Sequence, residues 1–247
     1  MNSRIDQVKT LFAQPEGYLR SDFNIRIRAE VVEGFVGDKV FKSILDIGCG
    51  NGAISLPLLR EYNRLTLLDL SSNMLSIARS HIPPEHASRV ETINEDFMSA
   101  ELQFQSYDLI LCLGVLAHVD SPTNVIARIV SLLQPNGSVI VQNFDFHHPV
   151  GYLFDRYSTL RNVLLRTPYT LNRLSGAKLV EMFGNQGLEL FAVYRYNMPV
   201  PGAARLFSND SLYKFIRKVY GTHTNNYGSW LGSECIYHFR KPGITDR

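Results

Sequence analysis

The stretch Ser43-Ile-Leu-Asp-Ile-Gly-Cys-Gly-Asn-Gly-Ala53 limits the fold of this chain more than any other. Its apolar run, Ile44–Ile47, reads as a buried strand. Glycines follow at 48, 50 and 52. A strand that runs through such a turn into a helix exposes backbone N–H groups at the positive end of that helix. The missing Cβ atoms let a ligand come close to the main chain. Turns of this kind belong to open α/β sheets, at the carboxyl ends of parallel strands.

The middle of the chain repeats the alternation. Ala53 to Tyr62 is expected to be a helix, with Pro57 in its first turns. Leu65–Asp69 predicts a second strand, and Ser71 an N-cap for a helix through His81 that Pro83-Pro84 closes. Val90–Ile93 and Tyr107–Leu113 predict the third and fourth strands. Ser121-Pro122 supplies an N-cap and a proline at the first helical position. The helix after it carries Val125, Ile126, Ile129, Val130 and Leu133 on one face. Pro135-Asn136-Gly137 turns the chain into a fifth strand, Ser138–Phe144. Ser175 caps a further helix, and Leu188–Tyr196 and Glu234–Phe239 read as a closing pair of strands.

This order implies one α/β domain over residues 1–247, a mostly parallel sheet with helices on both faces. Within it, residues 1–40 form a helical lid with Phe23, Ile27 and Val31 on one face. Residues 41–146 form the ligand-binding core, and 147–247 the substrate-side half. Two inserts, 147–173 and 199–232, are long enough to serve as helical lids.

Composition narrows the partners. The chain has 25 basic and 23 acidic residues, a net charge of +2, which argues against nucleic acid. Cys49, Cys112 and Cys235 lie far apart with no metal-ligand spacing, so no metal is expected and a reducing compartment is. The N-terminal residues lack an apolar leader segment. No run is long enough for stable membrane insertion. The expectation is a cytoplasmic protein; the sequence sets no oligomeric state.

The acids identify the ligand. Asp46 ends the first strand, two residues before the first glycine, where it would repel a pyrophosphate and attract an ammonium or sulfonium. Asp69 ends the second strand, where a carboxylate accepts from ribose hydroxyls. Asp96, after the third, can accept from an adenine amine, with Phe97 beside the ring. Together they describe a site for a nucleoside with a positive tail.

The segments "ILDIGCGNG", "LLDLSSNML", "NEDF", "YDLILCLGVLAHV" and "LLQPNGSVIV" resemble, in order and spacing, the signatures of class I S-adenosylmethionine-dependent methyltransferases. The resemblance covers roughly residues 44 to 145. It implies a Rossmann-like seven-stranded sheet with an antiparallel last strand. It implies that Asp46, Gly48, Gly50 and Gly52 cradle the amino-acid part of S-adenosyl-L-methionine, with Cys49 and Asn51 between them. Asp69 would hold the ribose, with Leu70 and Met74 nearby. Asp96 and Phe97 would hold the adenine, and Leu113, Gly114 and His118 would line the floor. Tyr18 or Arg26, near Arg28 in the N-terminal segment, would reach the carboxylate. Ala117 departs from relatives that carry a glutamate there, which weakens an acid–histidine pair at His118.

The implied reaction is methyl transfer to an oxygen or nitrogen of a small metabolite, in specialised metabolism, leaving S-adenosyl-L-homocysteine. A protonated acceptor needs a base, and His118, His147 and His148 follow the carboxyl ends of the fourth and fifth strands. Tyr152, Phe154, Tyr157, Tyr169, Tyr194, Tyr196, Phe207 and Trp230 suggest an aromatic or apolar substrate. A helix near Ser211 places Leu212, Phe215, Ile216, Val219 and Tyr220 on one face and Lys214, Arg217 and Lys218 on the others. That charge pattern fits a solvated lid helix, or a face for an acidic carrier or membrane surface, and so a carrier-bound or lipid-like acceptor. A nicotinamide-dependent oxidoreductase is disfavoured by Asp46 and the glycine spacing. A cofactor-binding protein without catalysis is the remaining alternative.

Overall fold

The computed structural model describes residues 22–164, 171–197 and 207–243. Seven strands form one sheet: β1 Ser43–Ile47, β2 Arg64–Leu68, β3 Val90–Ile93, β4 Tyr107–Cys112, β5 Leu133–Phe144, β6 Glu189–Tyr196 and β7 Glu234–Arg240. Their order is β3-β2-β1-β4-β5-β7-β6. The β1–β2, β1–β4, β2–β3 and β4–β5 pairs are parallel. β7 runs antiparallel to both β5 and β6. The α-helices among the described residues are α1 Asp22–Val36, α2 Ser72–Ser80, α3 Pro122–Leu132, α4 Pro149–Leu164, α5 Gly176–Asn185 and α6 Asn209–Tyr220.

The helix starts follow from single side chains. Ser71, Ser121 and Ser175 each accept from the backbone N–H three residues on, satisfying a donor the helix cannot use. Pro122 sits at the first position of α3, where no N–H is needed.

Between β1 and β2 the expected helix fails. Residues 53 to 62 form only a 3₁₀ turn, Leu56–Leu58, with Pro57 in its first positions. Proline offers no N–H to continue an α-helix. Asn63 closes the segment instead, accepting from the Arg60 N–H at 2.9 Å and donating to the Leu58 carbonyl at 2.9 Å.

Strand alternation divides the core. Ile44, Leu109, Leu111, Ile140, Ile236, Tyr194 and Tyr196 face the cluster under α1, which adds Phe23, Ile27 and Val31, and under α6, which adds Leu212, Ile216 and Tyr220. Leu45, Ile47, Ile110, Cys112, Val139, Val141, Cys235 and Phe239 face α3 and α5. The face under α1 also carries Asp46 of β1, near the carboxyl ends of the strands, where open sheets of this kind take ligands.

The aromatic set does not form one cap. Tyr194 and Tyr196 are core residues, whereas Tyr152, Tyr157, Phe207 and Trp230 are exposed. Tyr18 and Tyr169 lie outside the described residues, as does the Phe154 side chain. Arg217 is not on a solvated face: its side chain is 8% exposed and pairs with Glu30 of α1 at 2.6 Å. No described helix is long and apolar enough to cross a membrane.

Candidate cofactor site

The loop after β1 is built from its own donors. Gly48, Gly50 and Gly52 hold φ of 68°, 56° and 74°, in the left-handed region, which costs glycine little. A Cβ on Gly48 would lie 2.5 Å from a Val115 methyl, so no other residue fits there. The Gly48 and Cys49 N–H groups donate to the Leu68 carbonyl at 2.8 and 3.1 Å, and the Gly52 N–H to Cys49 at 3.0 Å. Gly50 N–H donates to Asp69 Oδ2 at 2.8 Å, and Ala53 N–H to Asn51 Oδ1 at 3.3 Å. These five donors are already satisfied within the protein. A pyrophosphate cradle needs such N–H groups turned to the ligand.

Asp46 is 4% exposed and forms no ion pair among the described residues. Burial pushes its carboxyl up to about 7; the Ser55 hydroxyl opposes this and the charge of Asp69 adds to it. A buried carboxylate in this state is stabilised by a cation. The positive tail of the expected nucleoside fits that need.

Asp69 holds the loop together. Its second oxygen accepts from the Ser71 N–H at 2.8 Å, and burial raises its carboxyl above the usual range against these two bonds. Each oxygen keeps a lone pair for a further donor. Leu70 is half-buried, and Met74 is packed under the first turn of α2. Cys49 and Asn51 are buried within the loop, and burial holds the Cys49 thiol well above its ordinary range. Asp96 is half-buried beyond β3. Phe97 departs from expectation: its ring packs in the core on the α3 side, with Arg128 over it at 5.2 Å. That face of the ring is not available to an adenine.

Leu113 and Gly114 follow β4, with Gly114 at φ 78°. His118 is half-buried in the next turn, which Asn172 clamps. Asn172 donates from Nδ2 to the Leu116 and Val119 carbonyls at 3.0 and 2.6 Å, and from its N–H to Ala117 at 2.9 Å. Nothing in the sequence pattern singles out this asparagine, because a clamp of this kind has no period.

The other histidines lie differently. His147 is exposed. His148 Nδ1 accepts from the Val150 N–H at 3.3 Å, so Nε2 carries the proton and donates to the Trp230 carbonyl at 2.8 Å. Both nitrogens are thereby engaged in tying α4 to the 3₁₀ turn Tyr227–Leu231.

Two arginines of α1 also divide. Arg26 turns outward to α6, 3.7 Å from Asp210 and over the Tyr213 ring at 4.0 Å. Arg28 turns to the sheet: its guanidinium nitrogens lie 3.8 and 3.9 Å from where a Cβ of Gly114 would stand. Beside it runs a buried polar chain. Tyr196 donates to Asn24 Oδ1 at 2.8 Å; Gln142 Nε2 donates to Tyr196 at 3.2 Å and to Glu234 Oε2 at 2.7 Å. Gln142 Oε1 is buried and has no hydrogen-bond partner among the described residues. Burial raises the Glu234 carboxyl, while Arg28 and Gln142 oppose the shift.

Residues 44–137 match the family described as a methyltransferase domain. Over 128 residues the chain is 31% identical to the ubiquinone biosynthesis O-methyltransferase of Photobacterium profundum, covering 52% of this chain and 54% of that protein. The chain thus spans about half the length of that curated relative. Among solved structures, the magnesium protoporphyrin IX methyltransferase of Synechocystis with bound S-adenosyl-L-homocysteine superposes with a TM-score of 0.63. It is 16% identical, with 97% of this chain and all of that one covered. The [4+2]-cyclase SpnF superposes at 0.56, 20% identical, with 89% and 82% covered. At these identities the superpositions establish the fold, and the cyclase shows that the fold alone does not set the reaction. Residues 44–137 therefore match a methyltransferase domain, and the strand order and superpositions give the chain the Rossmann-like fold of those solved methyltransferases.

Proposed function

We propose that the protein binds S-adenosyl-L-methionine and transfers its methyl group to an oxygen of a small organic metabolite. The observation that carries this reading is the glycine loop with five N–H groups spent internally and the buried Asp46 carboxyl beside it, which has no ion pair among the described residues. That arrangement suits a cationic tail and not a pyrophosphate, which disfavours a nicotinamide cofactor. Asp46 meets the tail, Asp69 the ribose hydroxyls and Asp96 the adenine amine. Leu113 and Gly114 form the floor, and Arg28, in place of Arg26, meets the carboxylate.

When bound, the cofactor supplies an activated methyl on a sulfonium, and displacement in line with the C–S bond depends on alignment. The residues around it orient both partners and exclude water. Gln142 Oε1, a buried acceptor without a partner, supports an acceptor molecule that brings an O–H or N–H. The O-methyltransferase name of the relative supports oxygen over nitrogen. That name belongs to quinone biosynthesis and lends no weight to specialised metabolism; it supports a ring-bearing or lipid-like acceptor. His118, half-buried after β4, is the histidine that this reading assigns to take the acceptor's proton. His148 is a structural tie, and His147 faces solvent.

The test is incubation with methyl-labelled S-adenosyl-L-methionine and a set of hydroxylated aromatic acceptors. Label should appear in an ether product from at least one. Saturating S-adenosyl-L-homocysteine should also raise the melting temperature, by about 2.7 kcal/mol of added stability at a hundredfold excess over Kd. Cofactor binding with no labelled product from any acceptor would favour a binding protein without methyl transfer.

A further inference from the structure

We propose that Arg128, in the middle of α3, is a positioning residue for adenine recognition. It locks the turn after β3 that carries Asp96, and so sets how well the site tells a 6-amino purine from one without the amine. This inference rests on the assignment of Asp96 to the adenine amine and adds a residue from behind that turn.

The strand register brings the turn to the site. β3 ends at Ile93, which pairs with Leu68 of β2. Asp69 follows Leu68 directly, and Asn94 follows Ile93. Asn94 Nδ2 donates to the Asp69 carbonyl at 2.9 Å, so the two strand exits are tied. The chain then folds back on itself. The Asp96 carbonyl accepts from the Ser99 and Ala100 N–H groups at 3.0 and 2.9 Å and from the Ser99 hydroxyl at 3.1 Å.

α3 holds the far side of this turn. Phe97 and Ala100 are buried in one cluster with Val125, Ile126 and Ile129 of that helix. Apolar contact is not directional and leaves the turn free to tilt. Arg128 supplies the direction. Its Nη1 donates to the Met98 carbonyl at 2.8 Å, and its Nη2 donates to the Ala100 carbonyl. A planar guanidinium fixes two acceptors at once, which a lysine cannot do. Arg128 forms no ion pair among the described residues, and its Nε is buried without a partner among them. The two carbonyls are what offset the partial burial of this cation.

This arrangement also accounts for Phe97. Its ring is committed to α3 with Arg128 over it, which leaves half-buried Asp96 as the polar group the turn offers to a purine. A hydrogen bond weakens steeply as its angle closes. Slack in the turn therefore reads out as lost preference for the amine, and Arg128 removes that slack.

Calorimetric titration of the full chain with S-adenosyl-L-homocysteine, and with its analogue bearing hydrogen in place of the 6-amine, tests this. The wild type should prefer the amine by about tenfold, the effect of one hydrogen bond to a charged acceptor. Arg128→Met keeps the apolar stem and should bring the preference to near unity. Arg128→Lys keeps the charge without the fork and should fall between. Ile129→Val loosens the same packing without touching a carbonyl; it should lower the melting temperature and leave the preference as in wild type. A wild-type preference in both Arg128 variants would overturn the proposal, and so would an equal loss in Ile129→Val, which would make the effect one of stability alone. No preference in the wild type, or one that survives Asp96→Ala, would instead refute the assignment of Asp96 to the adenine.

Discussion

Two requirements oppose each other at Asp46. The strand buries it, and its proposed role against a cationic tail needs it charged. With its carboxyl raised from 3.8 to about 7, the folded protein keeps Asp46 protonated where the unfolded chain ionises it. Its contribution to stability is therefore present at low pH and is lost as pH rises from about 4 to 7. Asp46→Asn should melt higher than wild type at pH 8, by about 4 °C or more, with the advantage shrinking toward pH 4. It should also weaken S-adenosyl-L-homocysteine binding. Thermal melts at both pH values with and without ligand check both parts, and equal melting at pH 8 would remove the burial argument. Asp69→Ala removes the proposed charged acceptor of ribose hydroxyls as well as the two backbone bonds it accepts. A loss of roughly 1.5–3 kcal/mol, about ten- to a hundredfold in affinity, is expected; an unchanged Kd would mean the ribose lies elsewhere.

The elements show which parts of the sequence carry readable signals. Serine caps and the proline start of α3 were legible because a cap is a local event between residues three apart. The segment 53 to 62 was not: its apolar content suits a helix, and one proline with a closing asparagine makes it a 3₁₀ turn. Arg217 and Asn172 were illegible for a different reason, since each acts on partners distant in sequence. Arg217 donates to the Ile27 carbonyl at 3.1 Å and pairs with Glu30, joining α6 to α1. Arg217→Met should lower the melting temperature by about 4–8 °C, less than a fully buried pair because Glu30 is partly exposed. Asn172→Ala frees the Leu116–Val119 turn, and His118 with it. Hydrogen exchange at His118 and Val119 should speed up in that variant, while Ser71 and Met74, across the site, stay as in wild type.

The whole molecule keeps two kinds of work apart. Parallel strands β1 to β5 carry the cofactor loop, and the antiparallel pair β6–β7 carries the buried chain of Tyr196, Gln142's partner Glu234 and the face under α1. The strands and the mostly parallel sheet were legible because apolar runs alternate with caps and turns along the chain, whereas the order of the strands across the sheet was not read from the sequence. The lid's aromatics were not, since composition does not distinguish core Tyr194 from Trp230, which is 72% exposed. The proposed site takes a cationic nucleoside and not a dinucleotide. Parallel titrations with S-adenosyl-L-homocysteine and NADH, followed by calorimetry, measure that claim directly. The first should bind saturably, one to one, and the second not at all; NADH binding with no response to S-adenosyl-L-homocysteine would contradict the proposed site.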